Sequence, residues 1–167
     1  MKVSIICAIS LDGYLNPTLE MSPTWTSAVD KKSFAEKTRA SGVMIMGNNT
    51  FKYSFHDKPL PGRWSVVVTH NTNRSTDNVW FTADKPQDIL KHIKQKGYDD
   101  ISIVGGGIIN SLFINAGLVT DLYITISSQI FGHGVPLFAN LTNTPQLQLV
   151  TSSPLGPGEV LNHYKVI

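Results

Sequence analysis

The stretch Ile101-Ser102-Ile103-Val104-Gly105-Gly106-Gly107-Ile108 decides the fold class of this chain. A short apolar run leads into three consecutive glycines, and apolar positions follow at helical spacing, namely Ile108, Ile109, Leu112 and Phe113. This order predicts a buried parallel strand, a tight turn and the amino terminus of a helix. Glycines in such a turn let backbone N–H groups approach a ligand closely, and the helix dipole favours an anion there. A strand-to-helix turn without a ligand explains the segment equally well when it is taken alone.

The bulk properties describe an ordinary globular protein. The chain has 167 residues, of which 41% are hydrophobic and 16% charged, and this predicts a single domain over residues 1–167 with one sizeable core. A net charge of +2 with scattered Lys and Arg gives no basic patch for nucleic acid. The single cysteine, Cys7, lies in an apolar run and excludes a disulfide framework or a Cys/His metal site. Because no membrane span or secretory leader is recognisable, we expect a cytoplasmic protein.

Strand-like and helix-like segments alternate along most of the chain. The predicted strands cover residues 2–9, 43–46, 65–69, 79–81, 101–104 and 121–131, and the predicted helices cover 27–40, 49–55, 84–96 and the segment after Gly107. Residues 10–26 predict a long polar loop, and residues 147–152 and 160–167 predict an antiparallel hairpin. Together they predict an α/β fold of three layers, α/β/α, with a mostly parallel central sheet and an antiparallel C-terminal hairpin. Ligands of such folds bind beyond the carboxyl ends of the strands.

Two residues near the first predicted helix are candidates for ligand chemistry. Ser27-Ala28-Val29-Asp30 fits a capping box, in which Ser27 precedes the helix and the Asp30 side chain accepts from backbone donors. From the residues alone the capping role is favoured, and a ligand-binding role for Asp30 stays open. Trp25 is either a core anchor or a ligand contact.

Three further segments carry groups suited to anions. In Met46-Gly47-Asn48-Asn49-Thr50-Phe51, Thr50 either caps a helix or helps to bind phosphate. The rigid turn Pro59-Leu60-Pro61-Gly62-Arg63 presents Arg63 either as a solvated arginine or as a clamp for a carboxylate or phosphate. Thr69 and His70 end another predicted strand, with Arg74 close behind, which suits a cofactor phosphate.

In this order the segments resemble the dihydrofolate reductase superfamily, which also contains the reductase domain of riboflavin biosynthesis. Ala8 through Gly13 is similar to the first strand of the family and the start of its mobile active-site loop. Val43 through Phe51 is similar to its cofactor turn, and Pro59 through Arg63 to its Leu-Pro-Gly-Arg segment. Gly105 and Gly106 match a Gly-Gly pair, usually joined by a cis peptide, that touches the cofactor pyrophosphate. The resemblance therefore implies a dihydrofolate reductase-like fold and hydride transfer from a nicotinamide cofactor.

The resemblance also implies roles for individual residues. The catalytic pair is Asp30, which would bind the pterin, and Trp25, which would flank it. The substrate-binding residues are Ile6, Ala8, Phe34, Arg63 and Thr125, with Arg63 on the glutamate α-carboxylate of folate and Thr125 bonded to the acid. The cofactor is NADPH, with NADH not excluded, and no metal is implied. The cofactor-binding residues are Ala8, Leu15, Gly47, Asn48, Asn49, Thr50, Thr69, His70, Arg74, Val104, Gly105, Gly106, Gly107 and Ile108.

Departures from the family pattern leave the cofactor and the substrate open. Asn48 and Ile108 stand where arginines usually grip the 2′-phosphate of NADPH, and Asn110 stands where folate reductases carry an aromatic residue. The segments 115–122 and 131–138 resemble the riboflavin-pathway reductases more closely, although Val104 stands where those enzymes often have a glutamate.

Three functions therefore stay open. The first hypothesis is reduction of dihydrofolate to tetrahydrofolate. The second is reduction of a ribosylaminopyrimidine phosphate, as in riboflavin biosynthesis, or of another small carbonyl or imine by an orphan relative. The third is nucleotide binding without catalysis. A monomer would suit the folate branch and a homodimer the riboflavin branch.

Overall fold

A computed structural model describes residues 1–167. In chain order its elements are β1 (Lys2–Ser10), β2 (Tyr14–Asn16), α1 (Ala28–Ser41), β3 (Val43–Gly47), α2 (Asn48–Phe55), β4 (Trp64–Val68), β5 (Val79–Thr82), α3 (Pro86–Gln95), β6 (Asp100–Ile103), α4 (Gly107–Asn115), β7 (Asp121–Ser127), β8 (Val135–Pro136), β9 (Leu147–Gly156) and β10 (Glu159–Val166). No helix is long and apolar enough to cross a membrane.

Eight of the strands form one sheet in the order β5-β4-β3-β6-β1-β7-β10-β9. The pairs from β5 through β7 are parallel, whereas β10 runs antiparallel to both β7 and β9. The predicted mostly parallel sheet with an antiparallel C-terminal hairpin is thereby confirmed.

Helices cover both faces of the sheet because side chains alternate along each buried strand. Val3, Ile5 and Cys7 of β1 belong to the apolar cluster that includes Ile93 of α3 and Phe113 of α4. On the opposite face, Met44 and Met46 of β3 pack with Phe51 of α2, and Phe34 of α1 contacts the same cluster. The two clusters give the three layers that the sequence predicts.

Local sequence signals explain where the helices begin and end. Ser27 is the N-cap of α1, and Gly42 ends the helix in the left-handed region at φ 72°. Pro86 occupies the first turn of α3, as the sequence predicts, because its missing N–H is not needed there.

Two predicted boundaries are wrong. The predicted loop 10–26 contains β2, which pairs with β8, since loop residues far apart in sequence meet above the sheet. The predicted strand 121–131 ends at Ser127. Beyond it the N–H groups of Phe131 and Gly132 donate to the Asp12 carboxylate instead of to a neighbouring strand.

The start of α4 requires glycine at position 107. A Cβ on Gly107 would overlap the backbone carbonyl oxygen of Pro136, and the Gly107 carbonyl accepts an N–H from Ala139 at 3.2 Å. The backbone around β8 therefore crosses directly over the turn after β6.

We predict that Gly107→Ala lowers the free energy of unfolding by about 1–3 kcal/mol, because two backbone segments have to separate to admit the methyl group. The measurement is chemical denaturation of both proteins. Ile108→Ala is the matched control, since Ile108 is 67% exposed and its truncation is expected to stay within about 0.5 kcal/mol. Equal stability of Gly107→Ala and the parent protein would contradict the close approach.

Candidate active site

Two glycine turns meet at the carboxyl edge of the parallel strands. Gly105 and Gly106, which follow β6, are joined by a cis peptide bond, as the family resemblance implies. The Gly47 N–H donates to the Gly105 carbonyl at 2.9 Å. Thr50 Oγ1 lies 3.6 Å from the point that a Cβ on Gly106 would occupy. The structure thus brings together the turns that the sequence assigns to one cofactor.

Both helices that begin at these turns have open amino termini. Gly47 is the N-cap of α2 and Gly106 the N-cap of α4, and neither end has a side-chain cap. Thr50 is the third residue of α2, so its interpretation as the N-cap is wrong. Two sets of backbone N–H donors and two positive dipole ends therefore lie at one edge, an arrangement that suits phosphate groups.

Leu15 and Cys7 lie on the other side of the glycine turn. The point that a Cβ on Gly105 would occupy is 3.9 Å from Leu15 Cδ1 and 4.0 Å from Cys7 Sγ. Asn110 is fully buried, and its Nδ2 donates to the Leu137 carbonyl at 2.9 Å. Burial raises the pKa of the Cys7 thiol to about 12, so the group stays protonated and acts as a small apolar side chain.

Arg74 contacts Asn48, which stands at the position where the family resemblance implies an arginine. Its Nη2 donates to Asn48 Oδ1 at 2.7 Å, and its guanidinium lies over the Phe81 ring, 4.4 Å from the centroid. The Arg74 guanidinium is thus held beside the first residue of α2. His70, which lies close to Arg74 in sequence, is exposed. At α4 the equivalent position offers only the exposed apolar side chain of Ile108.

Asp30 is a buried acid at the start of α1, with 8% of its surface exposed. Burial raises its pKa, whereas the hydroxyl groups of Thr125 and Thr26 oppose the rise by favouring the charged form. Thr125 is the register partner of Ala8 in the β1–β7 pair, so β1 and β7 together form the floor beneath the carboxyl group. The sequence-predicted residues Asp30, Thr125 and Ala8 therefore do come together.

The capping box predicted for Ser27 and Asp30 is only half formed. Ser27 Oγ accepts the Asp30 N–H at 3.0 Å, which is the expected half. The Ser27 N–H, which a capping box would pair with the Asp30 side chain, donates instead to Glu159 Oε1 at 2.9 Å. The Asp30 carboxyl group is free of the capping role because a residue on β10 has replaced it.

Phe34 lies one turn of α1 after Asp30, and its ring is stacked on that of Phe55 of α2, with centroids 6.5 Å apart and an interplanar angle of 22°. Beyond them Arg63 is 7% exposed and donates from Nη2 to the Ala35 carbonyl at 3.1 Å. Arg63 is therefore not a solvated arginine.

The guanidinium of Arg63 still has a hydrogen-bond donor available for an anion. Its Nε is buried without a hydrogen-bond partner, and no acid pairs with the guanidinium. Burial lowers its pKa, and the positive charge of Arg39 lowers it further. Two nearby arginines without a carboxylate favour binding of a carboxylate or phosphate.

The loop segments above the site are tied to each other. Trp25 Nε1 donates to Asn16 Oδ1 at 2.9 Å, and its ring packs edge-on against Phe131 with centroids 5.1 Å apart. The Ser10 hydroxyl group and the N–H groups of Gly132 and Phe131 lower the pKa of Asp12, which therefore stays charged. Trp25 is thus anchored in the loop layer, and its hydrogen bonds and ring contact are with Asn16, Gln129 and Phe131 instead of Asp30.

Several residues at the site were missed by the sequence analysis. Thr26 directly follows Trp25 in sequence, and Arg39 lies one turn of α1 after Ala35, so proximity in sequence and helical spacing are the signals that point to them. Glu159 could not be found in this way, since 132 positions separate it from Ser27.

A cavity of about 900 Å³ opens near the amino ends of β4 and β6, and Arg63 is one of its lining residues. Its aromatic lining is packed against itself, with the Trp64 ring stacked on both Trp80 and Tyr98 at centroid distances of 5.8 and 6.0 Å. Because the ring faces are already covered, this cavity is a weaker candidate than the carboxyl edge.

The parallel sheet, the paired glycine turns and the buried acid define a reductase-like α/β protein. The family model described as dihydrofolate reductase matches residues 2–151, and the chain belongs to that family.

Two solved structures are similar to this chain in fold, and a further protein is similar in sequence. A protein from Shewanella sp. PV-4 provisionally assigned to riboflavin biosynthesis has a TM-score of 0.83 at 22% identity, covering 100% of this chain and 99% of its own. Dihydrofolate reductase from Enterococcus faecalis, complexed with NADP(H), has a TM-score of 0.77 at 22% identity, covering 99% and 96%. The uncharacterized protein YwjB of Bacillus subtilis is 23% identical over 174 residues, covering 98% of both chains.

Proposed function

We propose that this protein is an NADPH-dependent reductase that transfers a hydride to a pterin-like substrate, with dihydrofolate reduced to tetrahydrofolate as the first candidate. The observation that carries the proposal is Asp30, a buried carboxyl group released from helix capping and faced by Thr125. Burial of an acid that does not cap the helix costs folding free energy, and such groups are concentrated at functional sites.

The residues at the carboxyl edge fit a nicotinamide dinucleotide. The open amino termini of α2 and α4 supply backbone donors for its phosphates, and Gly105 and Gly106 have no side chains that would block its approach. Arg74, held by Asn48, supplies the cation for a 2′-phosphate. Leu15 lies beside the turn, and Ala8 follows Cys7 on β1. The bound cofactor would supply the hydride, and the chain would supply alignment and exclusion of water.

The positions of Asp30 and Arg63 along α1 suit an elongated substrate with a ring at one end and an acid at the other. Ala35, to which Arg63 is bonded, lies five residues after Asp30, about 7.5 Å further along the helix. Phe34 and Phe55 line the path between them. Asp30 would bind the amino and ring N–H groups of the heterocycle, and Arg63 the distal carboxylate.

Asp30 would act on the substrate through hydrogen bonding and charge. By holding the ring N–H groups it fixes the orientation of the heterocycle and favours protonation of the imine nitrogen, with the proton delivered by water. General acid assistance of this kind contributes typically about 10²- to 10⁴-fold to the rate.

A second candidate is reduction of a ribosylaminopyrimidine phosphate. The similarity in fold to the Shewanella protein and the resemblance of residues 115–138 to riboflavin-pathway reductases favour it. The Arg63 and Arg39 pair suits a phosphate as well as a carboxylate.

Thermal-shift titrations separate these candidates. Dihydrofolate reduction predicts stabilisation by NADPH and by the antifolate methotrexate, because both halves of the folate site would be present. Stabilisation by NADPH alone, with turnover of a ribosylaminopyrimidine phosphate, would favour the second candidate. NADPH binding with no turnover of either substrate would contradict both and leave a nucleotide-binding protein.

We expect Asp30→Asn to fold and bind NADPH but to lose about 100-fold or more of its turnover at neutral pH, because the amide cannot carry the negative charge that favours the protonated imine. Steady-state reduction of dihydrofolate measures it. Glu36→Gln is the control, since Glu36 makes an exposed 4.0 Å pair with Lys32 on the same helix and should keep full turnover. Full turnover by Asp30→Asn would assign Asp30 a structural role.

Arg74→Ala should raise the KM for NADPH about 10-fold and leave the KM for NADH unchanged, because only NADPH carries the 2′-phosphate that the guanidinium would bind. The comparison of both cofactors in each protein is the measurement. Lys94→Ala, which removes an exposed cation from α3, should change neither value. An equal rise for both cofactors would place Arg74 outside the 2′-phosphate site.

A further inference from the structure

We propose that Glu159 is a positioning residue for Asp30: it takes the Ser27 N–H away from the Asp30 side chain and places a second carboxylate at the start of α1. This inference rests on the proposed function, in which Asp30 is the group that binds the reacting heterocycle. It assigns a role at the site to the last strand of the sheet.

Glu159 is built into the carboxyl edge. It is the first residue of β10 and the register partner of Ser127 at the end of β7, and only 5% of its surface is exposed. Both of its carboxylate oxygens accept hydrogen bonds from one residue, Oε1 from the Ser27 N–H at 2.9 Å and Oε2 from the Ser27 hydroxyl group. Glu159 forms no salt bridge with Lys or Arg.

These contacts complete the cap of α1 without the Asp30 side chain. In a capping box the acid at the third helical position reaches back to the N-cap N–H. In this chain that N–H is occupied, while the Asp30 N–H is satisfied by Ser27 Oγ. The Asp30 carboxyl group therefore gains nothing by turning toward Ser27 and remains directed to Thr125 and Thr26.

Glu159 also acts on Asp30 through space. Burial is the largest influence and raises the pKa of Asp30, the hydroxyl groups of Thr125 and Thr26 lower it, and the Glu159 charge raises it again. Lys31 on its own helix lowers its pKa, whereas the Cys7 thiol on β1 stays protonated and adds no charge. Two negative charges in a buried region repel each other, so removal of the Glu159 charge should let Asp30 ionise at lower pH.

The test uses Glu159→Gln, which can still accept the Ser27 N–H and carries no charge. The titration of Asp30 is followed by NMR of protein labelled with ¹³C at aspartate side chains, with Asp30→Asn identifying the signal. We expect the midpoint of Asp30 to fall by about half a pH unit or more in Glu159→Gln, with little change in Tm. Glu36→Gln, which removes an exposed charge from α1, should leave the midpoint in place.

Glu159→Ala provides a second variant, since it removes the acceptor as well as the charge. The Asp30 carboxyl group is then free to close the capping box with Ser27, so kcat should fall at least about 10-fold below that of Glu159→Gln while KM for NADPH is unchanged. The pH profile of kcat should move to lower pH in Glu159→Gln, in step with the NMR midpoint.

An Asp30 midpoint that is unchanged in both variants would overturn the inference, even if the protein proves to be an active reductase. A shifted midpoint in a protein that turns over no pterin would instead support the coupling of Glu159 to Asp30 and contradict the proposed reaction. The NMR readout needs no substrate, so the two failures are distinguishable.

Discussion

The parallel pairing of β6 with both β1 and β3 is the interaction on which the rest of the structure depends. It joins the two halves of the sheet and places the turn after β6 between the ends of its two neighbours. Gly105 therefore meets Gly47 on one side and Leu15 and Cys7 on the other. Gly105 also adopts φ 103°, which favours glycine, and so the glycine run and the position of the candidate site follow from one feature of topology.

Much of the fold could be predicted because it is encoded by local patterns. The buried strands are continuous apolar runs, and the turns after β3 and β6 carry glycines where the chain reverses. The end of β7 and the existence of β2 could not be predicted in this way. Both depend on contacts between residues about 120 positions apart, such as Asp12 with Gly132, and no periodicity records such contacts.

Some residues of the site could likewise be predicted from their neighbours in sequence, whereas others are revealed only by long-range contacts. The glycine turns, Asp30 and Arg63 were predictable as chemistry-bearing residues from their neighbours in sequence. The division of the cap of α1 between Ser27 and Glu159 was not, since the pattern Ser27-x-x-Asp30 is locally complete. The capping-box pattern predicts that the Asp30 side chain accepts the Ser27 N–H. Glu159, which is far away in sequence, accepts that N–H instead. The failure of the rule is itself informative, because it leaves a buried acid with no structural duty.

The loops above the sheet set a constraint on how substrate reaches that acid. Trp25 is bonded to Asn16, Asp12 is bonded to Phe131 and Gly132, and β2 pairs with β8. The backbone of β8 in turn lies against Gly107 at the start of α4. An opening of the first loop would break these contacts unless residues 128–138 moved with it, so the two segments have to act as one cover. Because that cover rests on the glycine turn, a dinucleotide bound there, as proposed, would contact the same cover that lies over Asp30.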